Sequence, residues 1–209
     1  MNKVYIEYSD SSYIQMFLKH GIKAVPEKET AHLICFTGGS DVSPHLYGEH
    51  KHPYSSVDGS RDEREAELFH YAVMNNIPMV GVCRGGQFLN VMNGGKMYQH
   101  IEGHVGDHYM QDLITNEDIM VSSTHHQMMK AAAAGFVVAT ANICNKSKQH
   151  MSLLQEHPAI LTNIKKEPDI EVVYYKDTKS LCFQPHPEFD GHERMTAYFF
   201  ELINRYLKD

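Results

Sequence analysis

One stretch limits the possible folds of this chain more than any other: Pro78-Met-Val-Gly-Val-Cys83-Arg84-Gly85-Gly86-Gln87-Phe-Leu-Asn-Val-Met-Asn-Gly94. A short apolar run of strand type enters a cysteine, two glycines follow, and an amphipathic helical pattern begins at once. Such a passage from buried strand to helix through a tight bend is a nucleophile elbow, which holds a reactive side chain clear of the sheet. The unpaired N–H groups of the helix start lie beside it and favour a thiolate and any oxyanion formed there. On this reading, side chains at Gly85 or Gly86 would crowd the nucleophile or its substrate. The bland alternative for Cys83 is a small buried hydrophobe at a strand end.

A second stretch complements the first. In Gln184-Pro185-His186-Pro187-Glu188-Phe189 the two prolines push Gln184 and His186 out of the helical region, so an extended segment is expected. Residues two apart in an extended chain face the same way, which would let His186 and Glu188 both address the nucleophile. A thiol, a base and a carboxylate that orients the base are the parts of an activated cysteine catalyst.

Gly81-Val-Cys83-Arg84-Gly85-Gly86-Gln87, followed about a hundred residues on by His186-Pro187-Glu188, resembles the class I glutamine amidotransferase superfamily. Phe36-Thr37-Gly38-Gly39-Ser40-Asp41-Val42 resembles its glycine loop, and Ser122-Ser123-Thr124-His125-His126-Gln127 resembles the segment lining its glutamine pocket. Arg84 after the cysteine, Gly59-Ser60-Arg61-Asp62 and Pro44-His45-Leu46-Tyr47-Gly48 resemble the gamma-glutamyl hydrolase branch, including hydrolases of gamma-glutamyl-gamma-aminobutyrate. The resemblance implies a Cys83, His186, Glu188 triad and an oxyanion hole from the backbone N–H groups of Gly39 and Arg84. It also implies substrate contacts from Gly38, Gln87, His125, His126 and Gln127. Two positions depart from the pattern: Pro185 stands where an aromatic residue is usual, and Gly86 where a larger apolar one is. Both remove bulk, so a roomier pocket is expected.

The remaining sequence agrees with this reading and excludes several others. At 209 residues with 42 % hydrophobic content, a single domain over 1–209 is expected. A formal charge of -7 without a basic stripe argues against nucleic acid or an anionic membrane as partner. No window resembles a membrane span or a secretion signal, which leads to a cytoplasmic expectation. Cys35, Cys83, Cys144 and Cys182 show no C-x-x-C spacing and suit a reducing compartment.

In chain order, Lys3–Tyr8 alternates like a strand, a helix should run from the Ser9-Asp10-Ser11 caps to His20, and His32–Thr37 reads as a buried strand. This rhythm predicts an α/β doubly wound, mostly parallel sheet flanked by helices, flavodoxin-like, with ligands beyond the carboxyl ends of its strands. The long segment Ser40–Ser60 should wall the pocket, with Asp41 and Tyr47 as candidate contacts. Arg61–Asn75 predicts a helix with Leu68, Phe69, Ala72 and Met74 inward and its charge run solvated. His100, His104 and His108 have the spacing of a helical metal face, yet Gly103 and Gly106 interrupt a helix and no carboxylate recurs at metal-ligand spacing, so no metal and no cofactor are expected. Met129–Ala134 reads as a short helix and Gly135–Ala141 as a strand. Asn142–Pro158 reads as an insertion or lid, and Ile170–Tyr175 with Leu181–Gln184 as a hairpin. A terminal helix over His192–Leu207 would bury Tyr198, Phe199, Leu202, Ile203 and Tyr206.

The expected activity is therefore cleavage of a small gamma-glutamyl amide through a gamma-glutamyl thioester. The alternative is a glutaminase subunit that supplies ammonia to a separate synthetase or amidoligase. A non-catalytic protein that binds a gamma-glutamyl compound is a third reading. Assembly, including a homodimer, is left open by the sequence.

Overall fold

Strands buried on both faces organise the molecule. In the computed structural model, which describes residues 1–141, 149–151 and 168–208, Leu33–Phe36, Met79–Val82 and Ser180–Phe183 are buried at every position, as the centre of a sheet covered on both sides requires. In chain order the elements are β1 (Lys3–Ile6), α1 (Ser11–Lys19), β2 (Lys23–Val25), β3 (Leu33–Phe36), α2 (Gly59–Met74), β4 (Met79–Val82), α3 (Arg84–Met92), β5 (Lys96–Tyr98) and β6 (His100–Glu102). There follow β7 (His108–Asp112), β8 (Asp118–Val121), β9 (Met128–Lys130), β10 (Phe136–Ala141), β11 (Gln149–Met151), β12 (Ile170–Tyr175), β13 (Ser180–Phe183) and α4 (Glu193–Tyr206).

The sheet runs β2-β1-β3-β4-β13-β12-β10-β7-β8. Its first five strands are parallel, and from β13 onward the neighbours are antiparallel. The α/β arrangement is thus the expected one, extended on one side by hairpins. One pairing matters most for function: β13 lies beside β4 with Phe183 opposite Val82, and Cys83 N–H donates to the Phe183 carbonyl at 2.8 Å. The chain therefore leaves both strands at one rim, and residues a hundred apart in sequence become neighbours.

Two apolar layers cover the sheet. Phe17 from α1 packs with Tyr198, Phe199, Leu202 and Ile203 from α4 on one face; Leu68 and Phe69 from α2 pack with Phe88 and Leu89 from α3 on the other. Each fully buried side chain of this size contributes about 1.5–3 kcal/mol relative to exposure. Helix boundaries follow local chemistry. Asp10 caps α1 through Ser12 N–H at 2.7 Å, and Asp58 caps α2 through Arg61 N–H at 3.1 Å.

Several expectations change. Met129–Ala134 is not helical: Met128–Lys130 is a strand that pairs with β5 and touches β12, because buried Met128 and Met129 complete a sheet edge. Met74 is exposed rather than inward. The charge run of α2 is not a solvated face, since Arg61, Asp62 and Glu65 are all buried. Tyr47 belongs to the core beneath the glycine loop and does not line the cleft. Of the segment Asn142–Pro158, 142–148 and 152–158 lie outside the described residues, and Gln149–Met151 pairs with β6.

Candidate active site

The bend between β4 and α3 carries its geometry in one residue. Cys83 adopts φ 50° and ψ -112°, a conformation rare for a residue with a side chain, and it caps α3 at the point where the N–H groups of the first turn have no intrahelical acceptor. The glycines around it serve close packing of strand and helix. A Cβ on Gly85 would meet the Phe36 carbonyl, one on Gly81 would meet the Gly85 backbone, and one on Gly86 would lie 2.9 Å from Phe183 N. Gly86 thus faces β13 and not the cleft, so its lack of bulk does not enlarge the pocket.

His186 stands beside the cysteine. A point one bond above Gly38 lies 3.1 Å from His186 Cε1 and 3.8 Å from Cys83 Cβ, which puts the glycine, the imidazole and the cysteine around one spot. His186 Nδ1 is 2.6 Å from Glu188 Oε1. The carboxylate reaches the ring through a turn closed by Phe189 N–H donating to the His186 carbonyl at 3.2 Å, not along an extended strand as the prolines suggested. Phe189 stacks on the imidazole with ring centroids 4.5 Å apart. Burial works against charge on this ring, but the Cys83 sulfur and the Glu188 carboxylate outweigh it and push the pKa up to about 10.

Three further supports were not expected from the sequence. Tyr13 in α1 accepts the Gly38 N–H on its hydroxyl at 3.1 Å, and burial together with the neighbouring Glu188 carboxylate pushes its phenol well above the usual range. Ser122 Oγ accepts the His186 N–H at 3.1 Å. Arg61 donates to the carbonyls of Gly38 at 3.0 Å and Thr37 at 2.9 Å, which fixes the path of the glycine loop. Arg61 in turn shares Glu65 with Arg84, and Arg84 also pairs with Asp62 and donates to the Ser40 carbonyl at 3.1 Å. Burial and the Arg61 charge pull Arg84 down to about 10. The Arg84 side chain is thus turned into the protein. An acidic first turn in a helix otherwise marks only a favourable dipole, so no local signal distinguishes these internal charges from solvated ones.

A cleft of about 210 Å³ opens in front of Cys83, lined by Gly39, Ser40, Asp41, Arg84, Gln87 and the segment Thr124–Gln127 among others. Of the site residues named from the sequence, Gly39, Cys83, Arg84, Gln87, His125, His126 and Gln127 line it, Gly38 and His186 stand next to Cys83, and Glu188, against the His186 ring, lines a separate groove with Pro187 and Phe189. Their side chains differ in what they offer. His126 is partly exposed, 3.2 Å from Asp41 Oδ2 and 3.2 Å from His100 Nδ1, and the carboxylate raises its pKa. Gln87 is tied to the Gln184 side chain at 3.2 Å and the Gln127 carbonyl at 3.4 Å. Gln127 donates to the Gln99 carbonyl at 3.0 Å and Ser55 at 3.2 Å. His125 is buried, with Nδ1 2.8 Å from the Gln127 carbonyl.

A model of the peptidase C26 family matches residues 28–113. Over 192 residues the chain is 32% identical to the glutamine amidotransferase-like protein YvdE of Lactococcus lactis, covering 73% of this chain and 81% of that one. The chain belongs to this glutamine amidotransferase-like family. It is also 28% identical over 145 residues to the carbamoyl phosphate synthase small chain of Thermotoga maritima, covering 64% of this chain and 37% of that one. Among solved structures, a glutamine amidotransferase from Thermotoga maritima has a TM-score of 0.61 at 14% identity, covering 99% of this chain and 84% of its own, a likeness of fold. No helix among the described residues is long and apolar enough to cross a membrane.

Proposed function

We propose that this amidotransferase-like protein is a single-domain cysteine hydrolase that cleaves the gamma-glutamyl amide bond of glutamine or of a small gamma-glutamyl amine. The observation that carries the reading is the 2.6 Å contact of His186 with Glu188 beside a cysteine held in a strained elbow. Cys83 attacks the side-chain carbonyl as a thiolate, its proton resting on His186. The oxyanion is held by the N–H groups of Gly39 and Arg84, a donor of this kind contributing about 3 kcal/mol to the transition state. Protonated His186 delivers its proton to the leaving nitrogen while Glu188 holds Nδ1. The gamma-glutamyl thioester is then hydrolysed by water, which His186 deprotonates, and glutamate leaves.

The cleft is smaller than the ~300–1,000 Å³ that drug-sized ligands occupy, which suits a substrate of amino-acid size. Gly38, Gln87, His126 and Gln127 are the contacts assigned to the glutamyl group; His125, expected among them from the sequence, is left out because its ring is buried with Nδ1 on the Gln127 carbonyl. A second reading, in which the same chemistry supplies ammonia to a separate synthetase or amidoligase, draws support from the similarity to a carbamoyl phosphate synthase small chain.

The test is intact-mass analysis after treatment with a glutamine-like chloroketone, followed by turnover assays with glutamine and a series of gamma-glutamyl amines. One adduct on Cys83 and release of glutamate from at least one of these amides is the expected result. A wild-type protein that hydrolyses none of them, no more than Cys83→Ala does, would refute the hydrolase reading. Glutamine turnover that rises many-fold on adding a copurifying ATP-dependent ligase would decide for the second reading.

A further inference from the structure

Behind the cleft wall lies a second group of titratable side chains that takes no part in the hydrolysis proposed above. His104, Asp169 and Glu171 are fully buried, and His125 and His108 nearly so. They come from the loop between β6 and β7, the start of β7, the segment before β9, and the start of β12. Nε2 of His104 and Nε2 of His108 lie 3.0 and 3.1 Å from the same oxygen of Glu171. One ring nitrogen of His104, one of His125 and a carboxylate oxygen of Glu171 all fall within 4.8 Å of one another.

The outward-facing nitrogens are anchored. Nδ1 of His104 is 3.2 Å from Asp169 Oδ2, Nδ1 of His108 is 3.2 Å from the Gly106 carbonyl, and Nδ1 of His125 is 2.8 Å from the Gln127 carbonyl. An acceptor on Nδ1 keeps the proton there and turns the Nε2 lone pair inward, which is the support that metal-bound histidines receive from carboxylates and carbonyls. Meanwhile His125 Nε2 and Glu171 Oε2 are buried without a hydrogen-bond partner among the described residues, an arrangement that costs free energy unless something satisfies them.

A metal-free arrangement competes with this. An imidazolium at His104 between Asp169 and Glu171 fits its electrostatics: burial opposes the charge, the two carboxylates outweigh burial, and the pKa rises to about 9. That arrangement leaves His125 Nε2 unsatisfied, because its Nδ1 is engaged by the Gln127 carbonyl and no described residue partners Nε2. A divalent cation balances both carboxylates and supplies what the His125 and Glu171 lone pairs lack.

We propose that His104, His125 and Glu171 form a binding site for a divalent transition metal of the zinc class. Asp169 and the Gln127 carbonyl orient the two imidazoles, and His108 Nε2, beside the Glu171 oxygen, is next in line for a fourth position. Two imidazoles and a carboxylate suit zinc. Bonds of about 2.0–2.1 Å in a tetrahedron set ligand atoms about 3.3 Å apart, near the 3.0 Å found between His104 and Glu171. Such an ion would pin three chain segments together directly behind the wall that carries His126.

The test uses the whole protein, stripped with a chelator and then titrated with zinc by calorimetry and with cobalt(II) by visible absorption. One equivalent of zinc is expected to bind and to raise the melting temperature. Cobalt should give the spectrum of a tetrahedral nitrogen and oxygen site without a thiolate charge-transfer band, unchanged in Cys83→Ala. Glu171→Gln and His125→Gln should each weaken zinc at least about 100-fold, and Asp169→Asn about 10–100-fold. The wild-type cobalt spectrum decides even where a variant fails to fold: absence of a tetrahedral signal, or a thiolate band that vanishes with Cys83→Ala, overturns the site. Stoichiometric zinc that persists undiminished in folded Glu171→Gln overturns it as well. None of these outcomes depends on whether Cys83 is catalytic.

Discussion

The hydroxyl of Tyr13 accepts the N–H of Gly38 at 3.1 Å, reaching from helix α1 to a loop 25 residues further along the chain. Its phenol stays protonated because burial and the Glu188 carboxylate both oppose ionisation. One side chain thereby holds the backbone next to the oxyanion hole proposed above. Removing the hydroxyl should loosen that loop without touching the core, since the ring of Tyr13 still packs among Phe17 and Met16. Tyr13→Phe is expected to keep its fold and lose about 3- to 10-fold in kcat/KM, the effect of one hydrogen bond worth about 1 kcal/mol. Steady-state kinetics on the best amide, beside a thermal melt, checks this; an unchanged kcat/KM would mean that Tyr13 only fills space.

Beneath the glycine loop, Arg61 and Arg84 stand among Glu7, Asp62 and Glu65, all buried. Buried charges in such a network cost most when one partner is removed, because the others are left without compensation. Arg84→Met should therefore destabilise the protein by about 3–5 kcal/mol even though its side chain is well matched in volume. Urea unfolding gives the figure directly. A loss below about 1 kcal/mol would show that the carboxylates relax or take up protons without penalty.

The raised pKa of His186 makes a prediction about pH. An unperturbed histidine titrates near 6.5, whereas the folded protein holds this proton to about 10. A group whose pKa is higher folded than unfolded stabilises fully below the unfolded value, and that contribution disappears as pH rises through the folded one. The stability difference between wild type and His186→Gln should thus shrink steadily from about pH 6.5 to about pH 10. Cys83→Ala should show a shallower decline, because the sulfur supplies part of the attraction. Chemical unfolding of the three proteins at fixed ionic strength tests it, and parallel curves across that range would contradict it.

What the sequence could disclose depended on how local the cause was. The elbow, the parallel strands and the amphipathic α4 each arise from a run of adjacent residues, and they were legible. Cys83, His186 and Glu188 were readable as motifs, although the turn at Pro187–Phe189 that brings the carboxylate to the ring was not, since proline constrains its predecessor more than its successor. The buried Arg61, Asp62 and Glu65 looked like an ordinary exposed helix start because their partner Arg84 lies in a different element. The His104, His125 and Glu171 cluster was hidden for the same reason. Its carboxylate sits in β12, so no spacing rule applied within the His100–His108 stretch could have found it.

The glycines of the elbow allow a last prediction that separates packing from pocket shape. Gly85 has the Phe36 carbonyl where a Cβ would go, and Gly86 has Phe183 N at 2.9 Å, whereas neither presents its missing side chain to the cleft. A backbone obstacle inside a closely packed helix and strand pair cannot swing aside as a flexible side chain can, so the elements must separate. Gly85→Ala should consequently fail to accumulate as soluble protein. Gly86→Ala meets a looser obstacle and should fold with a loss of about 1–3 kcal/mol, the usual cost of overpacking. Its relative kcat/KM values for glutamine and larger gamma-glutamyl amines should match those of wild type within about twofold, since the pocket wall is unchanged. If Gly86→Ala instead shifted preference toward small amides at unaltered stability, position 86 would have to face the substrate, and the orientation of the whole first turn of α3 would be wrong.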